Sequence, residues 1–287
     1  MSTTTLKYIA TFFMFLDHLA LFFPILPIWF HWLGRFSAPI FLYCIIMAIE
    51  YTKNFHKLII RLYISNLIMS LCNLIISKYI ISIENQITRN IFSTWFSVTL
   101  FLYIFFINNK NRLKKIYLYI IIQSVILLIL FFENNINYNI IMILTSITGF
   151  PFLVEYKALF IILGILFFKA KNNKIVLAIN YSIFCIVLVV LTGTGIVGKI
   201  SVKIPLYTSL INNIFENFLG IPIWGTWDIC IFSLHSILFN NYQWMMIGAL
   251  PFLLRYNKKR GNYKKLFFYM FYPIHIYVLM FIRILLC

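Results

Sequence analysis

Asp17-His18 lies within the run Phe12-Phe13-Met14-Phe15-Leu16-Asp17-His18-Leu19-Ala20-Leu21. An acid and an imidazole in so apolar a setting invite a chemical reading, because ionisable groups are costly at membrane depth. Adjacent residues on a helix point about 100° apart, so the two cannot face each other. One is expected to face a reaction cavity and the other to hold a neighbouring helix. His18 is the better acid–base candidate, since imidazole titrates near neutrality. The competing reading is a hydrogen-bonded pair between helices with no chemistry. A second histidine closes the run Phe268-Tyr269-Met270-Phe271-Tyr272-Pro273-Ile274-His275. Pro273 is expected to kink that helix and free a carbonyl upstream. At 1.5 Å per residue, His275 lies about 15 Å from a start near Lys265, and His18 roughly 20 Å from a start near Thr5. Both depths fall near the middle of a hydrocarbon core about 30 Å thick, which points to one shared cavity. The competing reading of His275 is a packing histidine bonded to backbone. Arg35, in Gly34-Arg35-Phe36-Ser37-Ala38-Pro39, offers a fixed positive donor for a developing oxyanion or an anionic donor substrate. It also reads as an interfacial snorkelling arginine. His31 and Trp32 read as interfacial, His56 sits in a basic loop, and His235 could join the site with Asp228. HExxH, GxSxG and phosphate-binding glycine loops are missing from the sequence, so hydrolase and ATPase readings lack positive support.

These residues need helices to position them. Of 287 residues, 62% are hydrophobic, 19% aromatic and only 11% charged, against about 25% charged in an ordinary soluble domain. That excludes a soluble globular enzyme, a disordered chain and a disulfide scaffold. The predicted fold is an all-α polytopic membrane protein with about eight to ten spans of about 20 residues each, forming one domain over residues 1–287. Apolar stretches run at 6–27, 36–51, 58–77, 91–107, 116–132, 139–168, 175–197, 236–254 and 266–286. Gly149-Phe150-Pro151 interrupts the sixth, as a kink or as a re-entrant piece followed by a helix. The region 199–235 is too polar for a lipid-facing span, and its topology stays open. The five cysteines show neither CxxC nor metal spacing and read as small buried hydrophobes.

Lys and Arg total 24 against 7 Asp and Glu, a formal net charge of +17. No nucleic-acid recognition motif accompanies the charge. Clusters of basic residues fall in alternate loops: Lys53, Lys57 and Arg61; then Lys110, Arg112, Lys114 and Lys115; then Lys169, Lys171 and Lys174; and finally Arg255, Lys258, Lys259, Arg260, Lys264 and Lys265. The loops between the first of these are poorer in positive charge, with Lys78 and Arg89 beside Glu84 and then Glu133 alone. The positive-inside rule places the basic loops in the cytoplasm, and with them the N-terminus. A multi-pass protein of the inner or plasma membrane is expected.

In their order the motifs resemble the TraX family, which includes the membrane N-acetyltransferase of conjugative F-type pilin. The matching residues are Leu6-Lys7-Tyr8-Ile9-Ala10 with Met14, Asp17 and His18; Gly34-Arg35 with Pro39-Ile40-Phe41; Thr52, Asn54, Lys57 and Arg61-Leu62; and Asn90, Phe92 and Thr94. The end of the chain carries the strongest part: Gln243-Trp244, Pro251-Phe252-Leu253-Leu254, Tyr256-Asn257-Lys258-Lys259-Arg260-Gly261, Lys265, and Phe268 through His275. The chain departs from the family at Ser70-Leu71-Cys72-Asn73, which lacks an acid and a proline. It departs again at Glu155-Tyr156-Lys157, and at Lys258, where the family usually has glycine.

The resemblance implies acyl transfer from acetyl-CoA, as co-substrate, to an amine or hydroxyl. His18 or His275 would take the acceptor's proton, Asp17 would orient or charge-balance the site, and Arg35 would stabilise the carbonyl oxygen or bind the donor. Arg61, Tyr272, Asn257, Lys259 and Arg260 are the implied substrate-binding residues, with the loop 255–265 holding the CoA phosphates. That loop also reads as plain positive-inside anchoring. The implied acceptor is the N-terminal amine of a small membrane peptide or pilin-like protein. Alternatives are O-acetylation of a surface glycan or lipid, a transporter or flippase, and a structural or immunity protein.

Overall fold

The computed structural model describes residues 1–79, 90–107, 111–132, 138–193, 196–204, 213–219, 238–239, 242–262 and 264–286. Helices are the only regular secondary structure among them. Five are long and apolar enough to cross a membrane: Thr3–Phe22, Trp29–Tyr51, Phe55–Ile76, Lys174–Thr192 and Leu266–Leu286. Ile91–Ile107 and Tyr242–Leu254 are shorter apolar helices. Asp228, His235, Lys110 and most of the region 199–235 lie outside the described residues.

The chain forms two compact units. The first contains Met1–Ala48, Leu166–Glu216 and Ile221–Cys287. Helix α1 (Thr3–Phe22) opens on Ser2, whose side chain accepts from the Thr5 amide at 3.2 Å, the usual N-cap bond. It stops two residues before Pro24, because the residue preceding a proline is pushed out of the helical region. Leu6, Ala10, Met14 and His18 recur every four residues and form its buried stripe, while Tyr8 and Phe12 stay exposed. After the turn at Pro24–Pro27 the chain makes a six-residue helix, α2 (Trp29–Gly34), which packs back against α1. Gly34 permits the close approach: a Cβ there would stand 2.3 Å from the Asp17 Cβ. Helix α3 (Ser37–Tyr51) follows, and every residue from Ser37 to Met47 is buried, as expected for a helix that is apolar on all sides.

A 3-10 helix (Tyr242–Ala249) and a short α-helix (Leu250–Leu254) lead to the basic loop. The last helix of the unit, Lys265–Leu286, starts where its apolar run begins and carries Pro273 inside it. Its contacts with α1 advance together along both chains: Tyr8 with Phe268, Phe15 with Phe271, and His18 with His275. The two helices therefore run parallel. Phe13 meets both Phe36 and Phe252 edge-on, at 5.2 and 5.7 Å between ring centroids.

The second unit contains Ile49–Ile165 and Asn217–Gly220. Helix α4 (Phe55–Tyr79) shows its logic plainly. Ile60, Ile64, Ile68, Leu71 and Ile75 form an exposed apolar stripe, and Asn66, Ser70 and Asn73 form a buried polar one. Asn66 Nδ2 donates to the Ser146 carbonyl at 2.8 Å, and Asn90 Nδ2 donates to Asn66 Oδ1 at 2.9 Å and to Ser70 Oγ at 2.8 Å. Asn90 is also the N-cap of α5 (Ile91–Leu102). These bonds join α4, α5 and α7 (Tyr138–Thr148); α6 is Arg112–Phe132. The interruption at 149–151 is a full break. Gly149 ends α7 with φ 65°, and the next helix begins only at Lys157.

Candidate functional site

His18 and His275 meet between α1 and the last helix. Nδ1 of His18 lies 2.6 Å from Nε2 of His275, and the rings meet edge to edge with centroids 4.8 Å apart and planes 21° apart. On its other side His275 Nδ1 lies 2.6 Å from the Phe271 carbonyl oxygen. A carbonyl can only accept, so Nδ1 of His275 carries the proton, and Nε2 of the neutral ring is an acceptor. The proton in the contact between the two rings then belongs to His18 Nδ1, and Nε2 is the acceptor nitrogen of His18. Donation thus runs from His18 through His275 to the backbone carbonyl, which leaves Nε2 as the basic nitrogen of His18. Both histidines are buried. Tyr272 meets each of them edge-on at 5.9 Å, and Phe15 and Phe271 flank His275.

Asp17 points to a different face of α1, about 100° around the helix from His18. Its Oδ1 accepts from Arg35 at 2.9 Å and from His31 Nδ1 at 2.8 Å, and its Oδ2 accepts from the same Arg35 nitrogen at 3.0 Å. The second terminal nitrogen of Arg35 donates to Gln243 Oε1 at 3.1 Å. The guanidinium also stands 5.3 Å from the Tyr242 ring, which stacks on His31 at 5.8 Å. Trp32 Nε1 donates to the Leu238 carbonyl at 2.9 Å. A carboxylate in an apolar site is tolerable only with its charge balanced and its lone pairs used, and this cluster does both.

Comparison with family models, curated proteins and solved structures finds no match for this chain.

The structure therefore brings together Asp17 with Arg35, and His18 with His275 and Tyr272. His31, which sequence reasoning left at the interface, is a direct partner of Asp17. The signal for it was weak: α2 follows a turn, and only Gly34 hints that the chain folds back onto α1.

The basic loop forms a third feature of the first unit. Its backbone is occupied by the start of the chain. The Thr3 and Thr4 amides donate to the Lys259 and Arg260 carbonyls at 2.9 and 3.1 Å, Thr4 Oγ1 donates to Arg260 O at 2.8 Å, and the Asn257 amide donates to Met1 O at 3.0 Å. The Arg255, Asn257, Lys258, Lys259 and Arg260 residues stay exposed. Lys258 turns the loop at φ 62° and Gly261 at φ 75°; both values lie in the left-handed region that glycine enters without penalty. Arg61 lies in the second unit, exposed on α4. Among the described residues no group of three or more His, Cys, Asp or Glu is placed to hold a metal ion.

Proposed function

We propose that this chain is a multi-pass protein of the inner or plasma membrane, with a cytoplasmic N-terminus, that transfers acetyl from acetyl-CoA to the N-terminal amine of a small membrane peptide or pilin-like protein, as TraX-type enzymes do. The observation that carries this reading is the directed hydrogen-bond chain that runs from His18 through His275 to the Phe271 carbonyl. A histidine whose other nitrogen is held in place is the usual general base of acyl transfer. His18 Nε2 takes the proton from the acceptor nitrogen as the new C–N bond forms and the C–S bond of the thioester breaks. The proton passes to the departing sulfur, leaving a thiol and an amide. His275 fixes the ring and its tautomer through the Phe271 carbonyl. Arg35 holds Asp17 and Gln243, and its role in this reading is to stabilise the carbonyl oxygen or bind the donor.

The exposed side chains of the loop 255–260 fit the phosphates of the donor, and the bonds from Thr3 and Thr4 fix the loop's backbone beneath them. Loop and chain start lie on one side of the first unit, which agrees with a shared cytoplasmic location under the positive-inside rule. The test is the intact mass of small membrane peptides from cells with and without this protein. A gain of one acetyl group on a peptide, only where the protein is present, supports the reading. Identical masses in both overturn it.

A further inference from the structure

The Asp17–His31 contact plays no part in the hydrogen-bond chain that starts on His18. Nδ1 of His31 donates to Asp17 Oδ1 at 2.8 Å, so Nε2 is the acceptor nitrogen of this ring. The Asp17 carboxylate is itself pinned by Arg35, and the ring face is set by Tyr242. Edge and face are both fixed, which is how a carboxylate holds a catalytic imidazole. Among the described residues, the charged and titratable groups in contact with His31 or its partners are Asp17 from α1, Arg35 from beside its own helix and the Tyr242 ring from the 3-10 helix. The His31 side chain keeps 20% of its surface accessible, whereas His18 and His275 are buried.

An amine acceptor has two protons to lose. A terminal amine has a pKa of about 8, so at neutral pH it is mostly an ammonium without a lone pair. The first proton must leave before attack and ends in solvent. The second leaves as the C–N bond forms and ends on the thiol. Buried His18 suits the second step. The first needs a base outside the sealed core, and His31 is more accessible than either His18 or His275; a hydroxyl acceptor does not need that step. Resting on the acyl-transfer reading above, we propose that His31, held by Asp17, is the base that converts an ammonium acceptor to the free amine, and that this fits the site to amines rather than hydroxyls.

The test uses the full-length protein in proteoliposomes with acetyl-CoA and a short peptide whose only acceptor is its N-terminal amine. His31→Gln keeps a donor for Asp17 but has no basic nitrogen. Its transfer rate is expected to fall about 100-fold at about pH 6.5 and about threefold or less at about pH 9, where the acceptor is already neutral. His31→Ala should regain activity with added imidazole at the lower pH. A deficit in His31→Gln that is equal at both pH values, or none at all, overturns the inference while the wild type is active. So does a wild type that acetylates a hydroxyl peptide as fast as the amine. A wild type that transfers acetyl to neither peptide removes the acyl-transfer reading itself, and the inference with it.

Discussion

His18 Nδ1 and His275 Nε2 lie 2.6 Å apart although 257 positions separate them in the chain. The contact joins the first and last helices of one unit and fixes the proton on the His18 side of the pair. It also gives the two residues different duties. His18 presents the basic nitrogen, and His275 is anchored on a backbone carbonyl and acts through His18.

Truncating the two histidines should therefore have unequal effects. His18→Ala is expected to lower kcat for acetyl transfer by about 100-fold or more, the usual loss of a general base. His275→Asn should cost less, because His18 keeps its basic nitrogen and loses only its orientation. Steady-state kinetics on variants of matched thermal midpoint would check the order. Equal losses would contradict it.

Gly34→Ala should damage the site from a distance. The added Cβ would stand 2.3 Å from the Asp17 Cβ and 2.8 Å from its Oδ1, so α2 must move away from α1. Overpacking of this kind costs about 1–3 kcal/mol. A lowered unfolding midpoint together with reduced transfer is expected.

Arg35→Lys tests the carboxylate cluster. One guanidinium serves Asp17, Gln243 and the Tyr242 ring together, and a point-like ammonium cannot hold that geometry. Asp17→Ala goes further, leaving the arginine charge without its counterion, for which a loss of about 3 kcal/mol is expected. Thermal unfolding in detergent would separate the two, with Asp17→Ala the less stable.

In the second unit the polar knot predicts a purely structural effect. Asn90→Ala removes donors to Asn66 and Ser70 and the cap of α5. Leaving buried acceptors unsatisfied costs about 1–3 kcal/mol each. Stability should fall while the ratio of kcat to KM per folded molecule stays near that of the wild type.

The donor loop gives a kinetic signature. Lys259→Ala with Arg260→Ala removes two exposed cations from a loop whose backbone is tied to Thr3 and Thr4. KM for acetyl-CoA should rise with kcat little changed, and the rise should be smaller in high salt, where exposed charges are already screened.

The helices and the residues of the two contacts were legible in the sequence, for identifiable reasons. A charge inside an apolar run announces itself, which is why Asp17, His18, Arg35 and His275 could be named without coordinates. The counting that set His18 and His275 at similar distances along their helices agrees with their contact, because both helices start close to the expected residues and run parallel. The pairing of Asp17 with His31 was hidden, because periodicity reports a helix's faces and not a chain that turns at Pro24–Pro27 and folds back. The Asn66–Asn90–Ser70–Ser146 network was hidden too. Amides and hydroxyls cost little in a hydropathy average, and their partners lie 20 to 80 positions away. The break after α7 was visible in Gly149-Phe150-Pro151, but only the backbone shows two separate helices rather than one kinked helix.

The most direct test compares purified wild type with His18→Ala in proteoliposomes, using labelled acetyl-CoA and an amine-terminated membrane peptide. The account predicts label on the peptide amine with the wild type and a loss of about 100-fold per folded molecule in the variant. Full transfer by a folded His18→Ala protein, or none by the wild type, would contradict it.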